Sequence, residues 1–546
     1  MGRSGRMLLS NRSVSVFLWA CAAVFLILFF WDSLWSVSGD MSAHDFIVNR
    51  LIDHWTMSPA DEERLCGVTY YPRLGLVVAA VFGTITGSAV AGMHVASLVS
   101  LIGLWSGFAL ILRSLPTTSF VPVGVALLSL LILNRFFVGL ELHGHEIIYN
   151  YFMPQLAGQA FVLLMLTAAA MFERRGGDVR INYAVLAASA VIAANFHIVP
   201  TLVVLGVLAL LVAIDFLASR RLEIFAVGAI ATLAGAAGAA AQSGFRYLAA
   251  ARTQAGGLPL KWTPDVPSLA ILCTLVAAMA AVLLVRWLRA PRESMQSEIA
   301  IKYGALYGLA NSLLCLFQIC LVLLGWSADY AARKYAFAVN TSLLLEVALL
   351  VGIAFRWRQA DGDRHRVACA ALHGTFVPLV VAAGFFMVLP NEKEFSVTRL
   401  ADMERFAKSY TRAAPPNAPE TFNFAVGLKP ATINWLISLG ALEAPWSDNL
   451  YLAPMEGSFR YPFEVAHILT EAGARPWDVE ACRTSFASAG LVVLDGPCIV
   501  AALGKGAPSS AQPNVEARPS WKDLKCIDGR YSRVSAQTAE KTRVVR

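Results

Sequence analysis

Three groups of side chains in this sequence have the types and spacing to do chemistry. The first is acidic. Asp40 and Asp45 lie in one early segment, and His44 follows Asp40 by four residues, so Asp40 and His44 share a face of any helix formed there. A carboxylate so placed can take a proton from a hydroxyl, or simply cap the helix. The second group is cationic. Arg333 and Lys334 are adjacent in the segment 329–335, and Arg73 follows Pro72. Paired cations suit an anionic group, and lipid headgroups or structural ion pairs are the plain alternative. The third is His143-Gly144-His145-Glu146, followed by Tyr149-Asn150-Tyr151. His-x-His-Glu could ligate a divalent metal, but two imidazoles one residue apart are a sparse set, and no cofactor is expected.

The elements that must position these groups are membrane spans. Of 546 residues, 57% are hydrophobic and 15% charged, against about 25% charged in an ordinary soluble domain. That excludes a soluble enzyme and a disordered chain. Apolar runs near the roughly 20 residues a crossing requires are read at 14–31, 92–112, 119–137, 152–172, 182–196, 199–218, 224–242, 267–287, 303–325, 339–355 and 367–389. The first reads as an anchor rather than a cleaved signal, since no small-x-small site closes it. Asn195, His197 and Pro200 argue for a break between the fifth and sixth.

Arg3, Arg6 and Arg12 precede the first span. Arg113, then Arg174, Arg175 and Arg180, then Arg220 and Arg221, then Arg286, Arg289 and Arg292, then Arg356, Arg358, Arg364 and Arg366 fall on the same side as that N-terminus. The positive-inside rule makes this side cytoplasmic. Segments 32–91, 138–151, 243–266, 326–338 and everything after 390 then lie outside, and they hold all three chemical groups. The expected fold is mainly α: a polytopic transmembrane bundle of about eleven spans with a C-terminal extracytoplasmic α/β domain. Residues 1–390 form the membrane domain with its large first loop 32–91, residues 391–504 the outer domain, and residues 505–546 a flexible tail. Residues 391–546 hold 35 of the 81 charged residues, close to soluble density. The net charge of +7 follows from arginines flanking spans, so no nucleic-acid partner is expected.

Finer features follow. Phe46, Ile47, Leu51, Ile52 and Trp55 recur at helical spacing, which predicts an amphipathic helix lying on the membrane surface. The apolar stretch 74–92, interrupted by Gly83 and Gly87, reads as a short re-entrant or juxtamembrane helix, or as a further span. In the outer domain a helix is predicted over 399–411, strands over 422–427 and 490–494, and a hairpin pairing 491–494 with 499–502 across Asp495-Gly496-Pro497-Cys498. Cys66, Cys482, Cys498 and Cys526 fall outside, where a disulfide is allowed; their pairing is open. Glu346 and His373 lie within spans, and Glu346 should face the bundle interior with a partner. His197 should pack or hydrogen-bond at a helix end.

One anchor, a long loop with an early Asp, a helix, a Tyr-Pro motif opening the next apolar stretch, many spans and an outer C-terminal domain follow in order. Through Asp40 with His44, Tyr70-Tyr71-Pro72 and this layout, the chain resembles the GT-C glycosyltransferases, multispanning enzymes that include protein O-mannosyltransferases, aminoarabinose transferases and mycobacterial arabinosyltransferases. Where the family carries Pro-Pro, this chain has Pro72-Arg73; where acidic residues are paired, it has Asp40 and Asp45 apart.

The resemblance implies an inverting, base-assisted transfer of a sugar from a polyprenyl-phosphate donor to an envelope lipid or polysaccharide acceptor. Its setting would be the outer face of a bacterial inner membrane, among membrane lipids. Asp40, then Asp45, would be the base. His44, Tyr71, Arg73, His143, His145, Glu146, Arg333 and Lys334 would contact substrate, the cations holding the phosphate. A transporter or flippase for a lipid or glycan intermediate is the alternative, and a non-catalytic subunit of an envelope-assembly system a third. A transporter would show inverted repeats and ionisable groups at mid-membrane depth, and the sequence shows little of either.

Overall fold

The computed structural model describes residues 2–32, 37–57, 71–245, 258, 260–355, 363–388, 396–414, 421–430, 432–444, 464–475, 477–488, 490–504, 524–527 and 530–533. The chain divides into two compact units. The first takes residues 1–31, 72–75 and 96–391; the second takes 32–71, 76–95 and 392–546. Most of the early loop therefore clusters with the C-terminal region rather than with the spans.

Helices in chain order are α1 (Gly2–Phe29), α2 (Gly39–His54), α3 (Leu74–Thr86), α4 (Ala89–Arg113), α5 (Thr117–Leu133), α6 (Met153–Arg174), α7 (Val179–Ala193), α8 (Ile198–Ser219), α9 (Leu222–Ala241), α10 (Val266–Arg289), α11 (Arg292–Ser297), α12 (Ile299–Leu323), α13 (Asp329–Arg333), α14 (Ala336–Ala354) and α15 (Asp363–Met387). Each of the eleven spans read from the sequence falls on one of these. Among the described residues, eight stretches are long and apolar enough to cross a membrane, and the other three spans coincide with the shorter apolar helices Val16–Phe29, Val179–Ala193 and Leu372–Met387. The protein is a multi-pass helical membrane protein.

Local chemistry sets the helix ends. His197 caps α8, its Nδ1 accepting from the Val199 amide at 3.2 Å, which places the predicted break where Pro200 opens the next helix. Asp178 and Asp265 cap α7 and α10 through side-chain oxygens. Close helix approach relies on glycine: a Cβ on Gly352 would collide with Val123, and one on Gly384 with Trp105.

In the second unit α3 ends at a turn where Gly87 has φ 70°, so Ala89 starts a new helix. Gly83 does not break α3. It sits inside the helix, where a Cβ on Gly92 would meet its backbone and the Ala79 carbonyl. The 13 residues of α3 are too few to cross a bilayer alone. The unit continues with α16 (Val397–Ala413), β1 (Thr421–Ala425), α17 (Thr432–Leu436, extended by a π turn to Ala441), β2 (Glu464–Glu471), β3 (Arg483–Ser488), β4 (Leu491–Asp495) and α18 (Gly496–Gly504).

The sheet order is β1-β2-β4-β3, with β1 parallel to β2 and the other pairs antiparallel. Val426, Ile468, Trp477, Val492, Leu494 and Ile499 form its core with Cys482, which is disulfide-bonded to Cys498.

Two expectations change. The predicted hairpin between 491–494 and 499–502 is absent, because residues 499–502 belong to α18 and β4 pairs with β3 instead. Asp495 accepts from the Cys498 amide at 2.8 Å and Pro497 stands in the first turn, a helix start rather than a strand turn. The apolar face of α2 does not lie on a membrane surface: Phe46, Ile47, Val48 and Leu51 are buried, and α2 packs on α17 and its π extension. Within the expected tail, β5 (Leu524–Ile527) pairs antiparallel with β6 (Arg530–Arg533).

Candidate functional site

In the second unit the α2 segment carries the acidic candidates. Ser38 is the N-cap residue, with extended backbone, and Asp40 stands in the first helical turn, exposed. A carboxylate there is favoured by the helix dipole. One turn on, His44 is buried and its ring lies 5.2 Å from that of Tyr71. Tyr70 and Cys66 lie outside the described residues.

Asp45 differs sharply from Asp40. Its carboxyl is fully buried. Asn49 donates to Oδ2 at 3.1 Å and also donates to the Gly440 carbonyl. A Cβ on Gly440 would collide with Asp45 Oδ2, so this glycine lets the π turn approach the carboxyl. Burial, and then the neighbouring Glu404 carboxylate, hold the Asp45 carboxyl well above the usual range, with Lys408 acting in the opposite sense. Glu404 itself is buried and accepts from the Ser88 hydroxyl and the Ala89 and Val90 amides. A carboxylate from α16 thus caps α4. The sequence reading missed Glu404, since nothing local ties residue 404 to residue 88.

In the first unit two loops chosen from the sequence are interwoven. The His143 amide donates to Thr341 Oγ1 at 2.9 Å, and Asn340 donates to the Glu141 carbonyl at 3.0 Å. Gln155 donates to the Lys334 carbonyl at 3.2 Å. Rings of Tyr149 and Phe337 stack, and Phe152 meets Tyr330 edge-on. The Lys334 ammonium stands 4.6 Å from the ring centroids of both Phe152 and Tyr330, a cation–π seat. Arg333 pairs with Asp329 at 2.9 Å and donates to the Leu258 carbonyl.

The segment bearing Arg73 reaches the same helix start. The Leu74 amide donates to the Asn195 carbonyl at 2.8 Å, and Gly75 packs against Pro154, where a Cβ would stand 3.3 Å from the proline Cα. At the N-terminus of α6, Pro154 therefore meets Gly75, two residues after Arg73, and Gln155 meets the Lys334 backbone. One turn further, Gln159 is fully buried with neither amide atom hydrogen-bonded among the described residues. Its spacing of four from Gln155 was the available signal, and the sequence reading stopped at Gln155.

His143 and Glu146 are placed differently from an exposed loop pair. Both are fully buried. Glu146 Oε1 lies 2.7 Å from His143 Nδ1, and His143 Nε2 lies 2.7 Å from Tyr307 Oη. The Gly144 amide donates to the other Glu146 oxygen. Both ring nitrogens of His143 are thus engaged, one by Glu146 and the other by Tyr307. Gly144 has φ 108°, and a Cβ there would fall 2.6 Å from Val388 and 2.7 Å from Leu101. The loop is wedged between helices, the condition under which irregular backbone survives inside a membrane protein.

His145 bonds back to the Leu142 carbonyl at 3.0 Å and stacks near Tyr149. Glu141, unnoticed in the sequence, accepts from the Lys261 amide at 2.6 Å. Among the described residues no three His, Cys, Asp or Glu side chains are grouped to hold a metal ion.

Glu346 faces the interior, against Gly308, as expected. The expected partner is missing: neither carboxyl oxygen has a hydrogen bond among the described residues. At the opposite end of α6, Lys302 is fully buried and contacts Glu173 and Asp215 at 2.6 Å each, while Tyr183 donates to Asp215 and Tyr303 to Glu173.

No family model and no curated protein sequence matches the chain. Solved structures do. Over 91% of this chain and 98% of the other, ArnT from Cupriavidus metallidurans bound to undecaprenyl phosphate aligns with a TM-score of 0.46 at 13% identity. ArnT in the apo state gives 0.40 at 15% identity over the same shares. The apo oligosaccharyltransferase of Archaeoglobus fulgidus gives 0.40 at 11% identity, over 84% of this chain and 69% of that one. At these identities no residue here takes a role from them.

Proposed function

We propose that the protein is a membrane glycosyltransferase of the GT-C kind that takes a sugar from a polyprenyl-phosphate donor and places it on an envelope lipid or glycan acceptor at the outer face of the inner membrane. The observation that carries this reading is the meeting of the Arg73 and Lys334 segments at the N-terminus of α6. A leaving phosphate gains charge as the bond from the anomeric carbon to its oxygen breaks, and cations beside a helix N-terminus stabilise that charge. Arg333 and the aromatic seat of Lys334 belong to the same loop.

The acceptor hydroxyl oxygen forms the new bond from the opposite side of the sugar ring, inverting the anomeric carbon, and gives its proton to a carboxylate. Asp40 is our choice for that base, because it is exposed where Asp45 is enclosed. Asp45, His143 and Glu146 then act through the framework they hold. The Cys482–Cys498 bond agrees with an oxidising compartment for the second unit.

The test is transfer in proteoliposomes supplied with radiolabelled polyprenyl-phosphate sugars from the host membrane. Wild type and Asp45→Asn should transfer. Asp40→Asn should lose at least 100-fold in rate while folding normally, and Lys334→Ala should lose about tenfold or more. Movement of the lipid between leaflets with no transfer from any donor would sink this proposal in favour of a flippase.

A further inference from the structure

At the end of the first unit where α4 and α6 finish, a cavity of about 590 Å³ is lined by Arg113, Arg174, Arg175 and His373, with Leu110 and Ser114 beside them. Among the described residues that line it there is no carboxylate. Among the described residues neither Arg174 nor Arg175 is paired with an acidic side chain. Arg113 Nε donates to His373 Nδ1 at 3.2 Å, so the imidazole accepts there and keeps its other nitrogen as a donor.

A second cavity, of about 500 Å³, shares Leu110 and Arg113 with the first. Its walls are almost wholly apolar, from Val16 of α1, Val99 and Ile102 of α4, Leu164 of α6 and Val377 of α15. Its polar groups are satisfied locally, since Trp19 Nε1 donates to Ser106 Oγ at 2.9 Å. Val16 and Val99 are partly exposed, so the slot opens toward the surroundings of the bundle.

A cationic pocket therefore stands at the mouth of an apolar slot. Arg174 and Arg175, with no acidic partner among the described residues, call for an anion, and planar guanidinium donors match phosphate oxygens in pairs. A free anion would leave the slot unfilled. We infer that this is a binding site for one anionic phospholipid, its phosphate among Arg113, Arg174 and Arg175 and one acyl chain along α1, α4 and α15. The site lies at the end of α6 opposite Gln155 and Lys334, and it does not depend on the transfer activity proposed above.

The experiment is native mass spectrometry of the full-length protein in detergent with phosphatidylglycerol or phosphatidylcholine added. One phosphatidylglycerol per chain should be retained, at least tenfold more strongly than phosphatidylcholine. The double variant Arg174→Gln with Arg175→Gln should lose that preference. Val99→Trp, which fills the slot from an exposed position, should lower retention without touching the cations. Arg220→Gln with Arg221→Gln, two arginines outside both cavities, should retain the lipid. Equal retention of both lipids, undiminished retention in the Arg174 and Arg175 double variant, or displacement by millimolar inorganic phosphate would overturn the inference.

Discussion

Asp45 and Asp40 are five residues apart on one helix, and their surroundings differ more than their chemistry. Asp45 is enclosed, bonded by Asn49 and faced by Glu404. A carboxyl whose folded pKa is raised contributes stability below its unfolded value, near 4, and that contribution is lost as pH rises through the folded value. Wild-type melting should therefore fall across this window above pH 4, while Asp45→Asn, which keeps an acceptor and removes the charge, should melt higher at neutral pH with a flatter profile. Thermal melts at a series of pH values decide this. Lys302 presents the reverse case, a buried cation between Glu173 and Asp215. Lys302→Met leaves two carboxylates near each other without a cation and should cost about 3–5 kcal/mol, read as a lowered melting temperature in detergent.

At the scale of elements, the spans were legible because a crossing needs a long apolar run and little else competes with that signal. The break at His197 was legible for a similar reason, since Pro200 and a capping side chain act locally. Two elements were misread where one local pattern serves two environments. The face of Phe46, Ile47 and Leu51 is apolar whether it meets lipid or α17, and only the distant strand-helix module reveals which. Asp495-Gly496-Pro497 suits a turn and a helix start alike, and the Cys482–Cys498 bond ties the resulting α18 to the sheet core. That bond closes a sequence separation of 16 residues, worth about 3 kcal/mol in the chain-entropy account. Cys498→Ser should lower the stability of the second unit by that order, and reductant should do the same to wild type but not to the variant. The candidate site was half legible: charged residues on loops stand out in an apolar chain, whereas Glu404, Glu141 and Gln159 gain meaning only from partners far along the sequence.

For the whole molecule, α4, α6 and α10 carry arginine in their last turns and α8 is followed by Arg220 at its C-cap. If the positive-inside rule holds for this chain, these ends share the cytoplasmic side and the expected orientation of every loop follows from it. Single cysteines at Trp326 and Arg221, both exposed, should react with membrane-impermeant thiol reagents from opposite sides, the first in intact cells and the second only after the membrane is opened. Labelling of both from the same side would invert or break this topology. The two units also differ in what stabilises them: helix contacts through glycine in the first, a disulfide-linked sheet core in the second.

The wedged loop around His143 has a consequence for how the chain is made. Residues 141–146 emerge from the ribosome well before Tyr307, Asn340 and Thr341, the residues that receive them. Until α12 and α14 arrive, His143 and the carbonyl of Glu141 lack those partners, and only water can take their place. About 160–200 further residues are synthesised before those partners exist, so the loop reaches its seated form only late in assembly. Insertion of the spans and completion of the interior are thus separate events in time, with the second gated by the C-terminal half of the membrane bundle.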